Sequence, residues 1–153
     1  MAKILGAHHT SFTVADLERS VAFFRDVLGF ELLFTREVRQ EYFDRIVGLP
    51  GCVVRVALFR IPGGGHHVEL FQYLAPRGEP HRPRPCDPGS THLSLLVDDL
   101  AGLVGELRSR GAVLAGEPVL INAGPNEGGL AMYLQDPNGV LVELFQPPAR
   151  ATP

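Results

Sequence analysis

The chain has 153 residues, of which 45% are hydrophobic and 20% charged, and a formal net charge of −3. That length suits one compact domain or two small halves sharing a core, and the charge gives no basis for binding nucleic acid. No stretch is apolar enough to span a membrane, there is no signal-peptide layout at the start, and Cys52 and Cys86 are too few for a disulfide framework, so we expect reduced thiols in a cytoplasmic protein.

The first half begins with an alternating segment, residues 7–14, which predicts a strand with His9, Ser11 and Thr13 on its polar face. Asp16 is a good N-cap for an amphipathic helix that Gly29 should end. Further elements follow in order: a strand at 30–38, a short helix within 39–51, and strands at 52–61 and 66–73.

A proline-rich segment, residues 75–90, is predicted to be irregular and to link two halves. After it, the pattern restarts with a strand at 91–97 and a helix at 99–110. A strand near 113–121 and a hairpin across Asp136–Gly139 then complete the second half. Each half is therefore strand, helix and three strands, and only the helix within 39–51 has no counterpart.

The two halves also share short sequences. Val-Glu-Leu-Phe-Gln occurs at 68–72 and at 142–146, and a His-x4-Val-x-Asp-Leu pattern begins at His9 and at His92. Internal repeats indicate duplicated architecture. His9, Glu69, His92 and Glu143 consequently stand at matched points of the two halves.

These four side chains have the chemistry of a metal site. A carboxylate flanked by apolar residues in a strand is costly to bury unless it is paired or binds a cation. Two imidazoles and two carboxylates suit a divalent transition metal such as Zn, Ni, Co, Mn or Fe. Two simpler interpretations stay open: each carboxylate lies at a sheet edge facing solvent, or the repeat reflects common ancestry without any metal.

With these motifs, the chain resembles the vicinal oxygen chelate superfamily, which includes glyoxalase I, methylmalonyl-CoA epimerase, extradiol dioxygenases and the fosfomycin- and bleomycin-resistance proteins. The resemblance covers nearly the whole chain and rests on five segments: His9-x4-Val14-x-Asp16-Leu17, Phe24 to Phe30, Val68-Glu69-Leu70, His92-x4-Val97 and Asp136-Pro137-Asn138-Gly139-x3-Glu143-Leu144. It implies an α+β fold of two βαβββ repeats forming a half-open, barrel-like metal cup, with His9, Glu69, His92 and Glu143 as the metal ligands.

The resemblance implies a single domain over residues 1–153, with repeat one at 5–75, a linker at 76–90 and repeat two at 91–148. It also implies a homodimer, with the metal ligands drawn from one chain or from two. The expected partner is a small molecule with adjacent oxygens, namely an acyl-CoA, a keto-sugar or cyclitol, or a hemithioacetal.

Within the superfamily, four ligands favour the branch of methylmalonyl-CoA epimerase and glyoxalase I. The metal site of extradiol dioxygenases resembles one with three protein ligands, and bleomycin-binding members lack the metal. We therefore expect an epimerase or isomerase that abstracts a proton next to a metal-chelated carbonyl and passes through an enediolate-type intermediate. The alternatives are a glyoxalase I-type lyase, an extradiol-type dioxygenase and a metal-free binding or resistance protein.

Substrate-binding positions follow from the same comparison. The glutathione-binding pattern of glyoxalase I has a basic residue and an Asn where this chain has Thr13 and Tyr73, which disfavours glutathione. Arg55 interrupts an apolar strand, so it either pairs with a substrate anion or lies at a sheet edge, and Met132 is a further candidate for the pocket wall.

Inversion of a stereocentre requires two acid/base groups. Glu143 is the first candidate, on the condition that it leaves the metal transiently. Glu41, in the unmatched helix, is the second, and the competing interpretation of Glu41 is an ordinary solvated helix residue.

Overall fold

Two four-stranded sheets, one from each half of the repeat, are present in the computed structural model, which describes residues 1–81 and 83–149. The first sheet has the order β1-β4-β3-β2, with β1 parallel to β4 and the other neighbours antiparallel. Its elements are β1 (His9–Thr13), α1 (Leu17–Ala22), β2 (Glu31–Val38), α2 (Glu41–Val47), β3 (Val53–Arg60) and β4 (His67–Ala75).

The second sheet repeats this topology in the order β5-β8-β7-β6. Its elements are β5 (Leu93–Leu96), α3 (Leu100–Ser109), β6 (Val119–Leu120), β7 (Leu130–Gln135) and β8 (Leu141–Gln146). The predicted α+β fold with two βαβββ repeats is thereby confirmed. Each sheet is open rather than closed into a barrel, since its first two strands in chain order lie at its edges.

The first helix starts and stops where the sequence predicts, but it changes form in the middle. Asp16 caps it by accepting a hydrogen bond from the Arg19 N–H at 3.2 Å, and Gly29 has a φ of 74° just after its end. Residues 23–27 form a π-helical turn, in which the Leu28 N–H donates to the Phe23 carbonyl at 3.0 Å. The wider turn accompanies burial of two consecutive aromatic rings, Phe23 and Phe24.

The main core of each half lies between its sheet and its repeat helix. In the first half, Phe24 packs on Phe59 at 5.8 Å between ring centroids, and both side chains are fully buried. In the second half, Leu107 on α3 is buried, as are Leu134 and Leu144 on the sheet. Burial of this apolar area supplies most of the driving force for folding.

Helix α2 covers part of the other face of the first sheet. Phe43 and Val47 pack against a buried cluster formed by Val38, Cys52, Val54 and Val56, to which Phe71 and Tyr73 also belong. The Phe43 and Phe71 rings meet edge to face at 5.6 Å. The helix predicted within 39–51 is thus anchored by apolar contacts, and Gly48 ends it with a φ of 71°.

The predicted strand at 113–121 is mostly wrong. Only Val119–Leu120 pairs as β6, and Leu114 makes one isolated bridge to Leu134. Pro118 has no N–H to donate to a ladder and Gly116 has no side chain to pack, so the strand breaks between these two contacts.

The predicted turn at Asp136–Gly139 is present and sets the register of β7 against β8. Asp136 is 4% exposed, and its Oδ1 accepts hydrogen bonds from the Asn138 N–H at 2.8 Å and the Val140 N–H at 2.7 Å. This carboxylate stands in for backbone partners within a tight turn. The register that follows pairs Tyr133 with Glu143.

The chain divides into two compact units after His81, within the predicted linker. The described residues of 76–90 contain no helix or strand, as predicted. None of the helices in residues 1–81 and 83–149 has the length and hydropathy needed to cross a bilayer.

Candidate functional site

A histidine and a glutamate meet on the first sheet. His9 opens β1, and Glu69 lies on the neighbouring strand β4 opposite Ser11. His9 Nε2 lies 3.2 Å from Glu69 Oε2. The imidazole is 38% exposed and the carboxylate 17% exposed, so the charge of Glu69 is largely withdrawn from water with His9 as its partner.

The second sheet carries the same pair at the equivalent position. His92 immediately precedes β5, and Glu143 lies on β8 opposite Ser94. His92 Nε2 lies 3.3 Å from Glu143 Oε2, with side-chain exposures of 43% and 22%. Two halves with different surroundings therefore build the same contact from the same residue types.

The separation within each pair fits two ligands of one ion. Ligand atoms that bind a metal such as zinc at about 2.1 Å lie roughly 3.0–3.4 Å apart for angles between octahedral and tetrahedral. Both measured separations fall in that range. Across residues 1–81 and 83–149, however, no three His, Cys, Asp or Glu side chains are grouped as a metal site, so each half contributes two candidate ligands.

Three more histidines surround the first pair. His8 Nδ1 lies 2.7 Å from His9 Nδ1, so one of these nitrogens carries the proton, and His9 Nε2 is left to face Glu69. His67 stacks on His8 at 5.7 Å and has a buried Nδ1 for which the described residues provide no hydrogen-bond partner. His66 Nε2 contacts Thr10 Oγ1 at 2.9 Å. Of the three, only His8 contacts His9 itself, and it does so at Nδ1, the ring nitrogen that does not face Glu69.

Tyr133 is the neighbour of the second pair that sequence reasoning missed. Its ring meets the His92 ring edge to face, with 5.4 Å between centroids and 88° between planes. Burial, and then the nearby Glu143 carboxylate, raises the pKa of the Tyr133 phenol. A signal was available, because counting back from the Asp136–Gly139 turn places Tyr133, and not Met132, opposite Glu143.

The proposed substrate-binding residues do not share one environment. Thr13 is exposed and lies on the polar face of β1 together with Ser11 and His9, as expected. Tyr73 is half-buried in the cluster under α2, and burial raises the pKa of its phenol. Met132 is 4% exposed. It precedes Tyr133 on β7, so its side chain lies on the opposite face of the sheet.

Arg55 and Glu41 lie elsewhere in the first half. Arg55 forms an ion pair with Glu18, which is on α1, and its strand neighbours Val54 and Val56 face the α2 cluster instead. The guanidinium is therefore on the α1 side of the sheet, with a partner from the protein itself. Glu41 is exposed in the first turn of α2.

The chemistry available at these pairs is that of ligation and proton transfer. Neutral imidazole nitrogen and carboxylate oxygen are ligands for divalent transition metals. A carboxylate next to a reacting C–H group can also serve as a general base.

The sequence profile of the Glyoxalase/Bleomycin resistance protein/Dioxygenase superfamily matches residues 6–144. The chain belongs to this superfamily. A 2-epi-5-epi-valiolone epimerase from Actinomyces sp. is 33% identical over 151 residues, which cover 96% of this chain and 82% of that protein. A lactoylglutathione lyase from Salmonella typhimurium is 30% identical over 141 residues, 90% of each chain.

Structural similarity extends over the same length. A crystal structure of a glyoxalase family protein from Bacillus cereus has a TM-score of 0.81 and 25% identity, and it covers 97% of each chain. The superfamily predicted from the His, Glu and turn motifs is thus confirmed, and its members similar to this chain include an epimerase and lyases.

Proposed function

We propose that this protein is a divalent-metal-dependent epimerase or isomerase that moves a proton on the carbon next to a ketone. The observation that carries the proposal is the repeated His–Glu contact, His9 with Glu69 and His92 with Glu143. The similarity to an epimerase over 96% of the chain supports it.

The two pairs would together hold one divalent transition-metal ion, with ligands from one chain or from two. When bound, such an ion withdraws electron density from a carbonyl oxygen and thereby acidifies the neighbouring C–H group. The donor set, two imidazoles and two carboxylates, fits this assignment, as does the spacing within each pair.

Glu143 is the proposed base that removes the proton. Its carboxylate is 22% exposed, so it is open to a substrate, and it lies 3.3 Å from His92. Glu41 is the proposed second group, which returns a proton to the opposite face. One base acting alone would return the proton to the face it came from.

A hydroxylated cyclic ketone is the proposed substrate class. The related Actinomyces protein is named for a valiolone, a ring of this kind. Thr13 and Tyr73 occupy positions where glutathione-binding members have a basic residue and an Asn, and the one cation considered for substrate binding, Arg55, already pairs with Glu18.

The second candidate is a lactoylglutathione lyase, which the 30% identity to the Salmonella enzyme favours. Both activities begin with removal of a proton next to a carbonyl. They differ in the substrate, a cyclic ketone in one case and the hemithioacetal of glutathione in the other.

Proton NMR in D2O tests the proposal. The purified protein is loaded with Zn, Ni, Co, Mn or Fe in turn and incubated with 2-epi-5-epi-valiolone or with the hemithioacetal of methylglyoxal and glutathione. We expect deuterium incorporation and a new epimer from the ketone. Turnover of the hemithioacetal alone would replace the epimerase with the lyase, and no exchange in either substrate with any metal would refute both.

A further inference from the structure

The two halves differ most on the sheet face that carries the glutamate. In the first half part of this face is covered by α2, with Phe43 and Val47 packed over Val38, Val54 and Val56. The second half has no helix between β6 and β7 among its described residues.

Strand pairing identifies the equivalent residues of the second half. Val38 pairs with Val54 and Val56 with Phe71 in the first sheet. In the second sheet, the Ile121 N–H donates to the Gly129 carbonyl at 2.9 Å, and Ala131 pairs with Phe145. The covered positions Val38, Val54, Val56 and Phe71 therefore correspond to Ile121, Gly129, Ala131 and Phe145.

Of these replacements, Ala131 has less side-chain volume than Val56, whereas the place of the Val54 side chain is taken at Gly129 by the Asn126 carbonyl and the Phe145 ring. Two valines become Gly129 and Ala131, and a loop over residues 122–129 stands in place of α2. Beside Ala131, at the edge of the sheet where β6 is short, there is a cavity of ≈ 420 Å³ bordered by Ala115, Val119, Leu120, Ile121, Ala131, Met132 and Tyr133. That volume is typical of small-molecule sites.

Tyr133 connects the cavity to the second His–Glu pair. It borders the cavity, its ring contacts the His92 ring, and it lies opposite Glu143 in the strand register. A molecule in the cavity would therefore contact the residue that adjoins this pair.

The lining has little charge. Among the described residues that border the cavity, Glu117 is the one acidic residue and there is no Lys, Arg or His; Glu117 forms an ion pair with Arg108. Asn122 and Tyr133 supply polar atoms that can hydrogen-bond to hydroxyl or carbonyl groups. A carboxylate or phosphate placed here would meet no cationic side chain among the described residues that border the cavity.

We propose that this cavity is the binding site for the uncharged ring of the substrate, so that the second half selects the substrate while α2 closes the matching site in the first half. This inference rests on the proposed function for the identity of its ligand. It excludes, as occupants of the cavity, the carboxylates of glutathione and the phosphates of an acyl-CoA.

The test uses 2-hydroxycyclohexanone, a neutral ring with adjacent oxygens, titrated into the 15N-labelled full chain and followed by amide shifts. We expect shifts at Val119, Leu120, Ile121, Ala131 and Tyr133. Ala131→Phe should weaken binding at least tenfold by filling the cavity, and Val113→Phe should leave it unchanged, since Val113 is 77% exposed and does not border the cavity. Phenylpyruvate, an anionic control, should bind at least tenfold more weakly.

Shifts confined to the His67–Ala75 strand, or equal affinity in Ala131→Phe, would overturn the cavity assignment. The outcomes that would refute the proposed function differ from those that would refute the cavity assignment. Binding here without deuterium exchange in the valiolone would refute the epimerase and leave the cavity assignment standing, whereas exchange with an unchanged KM in Ala131→Phe would refute the cavity assignment alone. Folding of Ala131→Phe is verified by the amide signals of α3, which belongs to the same half and does not border the cavity.

Discussion

The ring of Tyr133 lies edge to face against the ring of His92, with 5.4 Å between their centroids. The first half has no such contact at the matching place, because the residue opposite Glu69 is Leu58 where the residue opposite Glu143 is Tyr133. The two His–Glu pairs are therefore alike in their own geometry and different in what supports them. We expect Tyr133 to act as a positioning residue for His92.

Replacing Tyr133 by its first-half counterpart tests this role. Tyr133→Leu removes an aromatic contact worth about 0.5–1.5 kcal/mol, so we expect kcat/KM for the ketone to fall roughly 2- to 10-fold. Tyr133→Phe keeps the ring and should retain most of the activity. The NMR signals of the His92 ring should broaden in the Leu variant only, and an unchanged His92 spectrum would contradict the positioning role.

Removal of one proposed ligand should release the metal. In His92→Ala, one of two nitrogen ligands is lost, and we expect the bound metal, measured by elemental analysis after dialysis, to fall at least tenfold. His81→Ala is the matched control, since His81 is exposed in the linker. Equal metal content in His92→Ala and the wild type would refute the ligand assignment.

Substitution of the two proposed acid/base residues should impair different steps of the reaction. Glu143→Gln should lower proton exchange and epimerisation together, by about 10²–10⁴-fold, because the first proton is no longer removed. Glu41→Gln should leave exchange of the substrate proton with D2O largely intact and slow only the inversion.

The matched control is Glu127→Gln, which alters an exposed acid in the 122–129 loop. If exchange and inversion remain equal to the wild type in Glu41→Gln, Glu41 is a solvated helix residue and the second group lies elsewhere.

Helix α2 should depend on one aromatic contact. Phe43 packs edge to face on Phe71 and covers the cluster beneath it. Since Phe43 is half-buried, Phe43→Ala should lower the free energy of unfolding by about 2–3 kcal/mol, less than for a fully buried ring. Urea titration followed by circular dichroism measures this, with exposed Tyr42→Ala as the control; a loss equal to that control would contradict the anchoring role.

The loop after α2 should lose stability in acid. Asp44 accepts a hydrogen bond from the Gly51 N–H at 2.6 Å and from the Cys52 N–H at 3.0 Å. The hydrogen bond from the Cys52 side chain, followed by that from the Gly51 backbone, lowers the pKa of the Asp44 carboxyl below its ordinary 3.8. Because the folded state binds this proton less tightly than the unfolded state, the stabilisation is present above pH 3.8 and is lost as the pH falls through the lowered value.

Asp44→Asn should therefore reduce stability at pH 7 and flatten its decline between about pH 5 and 2. Unfolding in urea across that range measures both effects. Glu79→Gln, at an exposed acid of the linker, should follow the wild type. An Asp44→Asn curve parallel to the wild type would show that other carboxyls govern the acid transition.

Local patterns accounted for much of the fold. Alternation at 7–14, the cap at Asp16 and the Asp136–Gly139 turn all predicted elements that the structure contains. The strand at 113–121 was overestimated, because Leu114, Val119 and Leu120 suggest a strand while Pro118 cannot take part in a ladder.

The candidate site was likewise predicted only in part from the sequence. By itself, the sequence determined that His9, Glu69, His92 and Glu143 stand at equivalent points of a duplicated unit, because repetition and alternation are properties of the chain. It did not determine that Arg55 lies on the α1 side of its sheet or that Tyr133 contacts His92. Nor did it determine that α2 packs on the sheet of the first half, or that the second half, which has no such helix among its described residues, contains a cavity. Those relationships join residues on different strands and helices. Only the tertiary structure decided them, because they depend on strand register and on which element packs over each face.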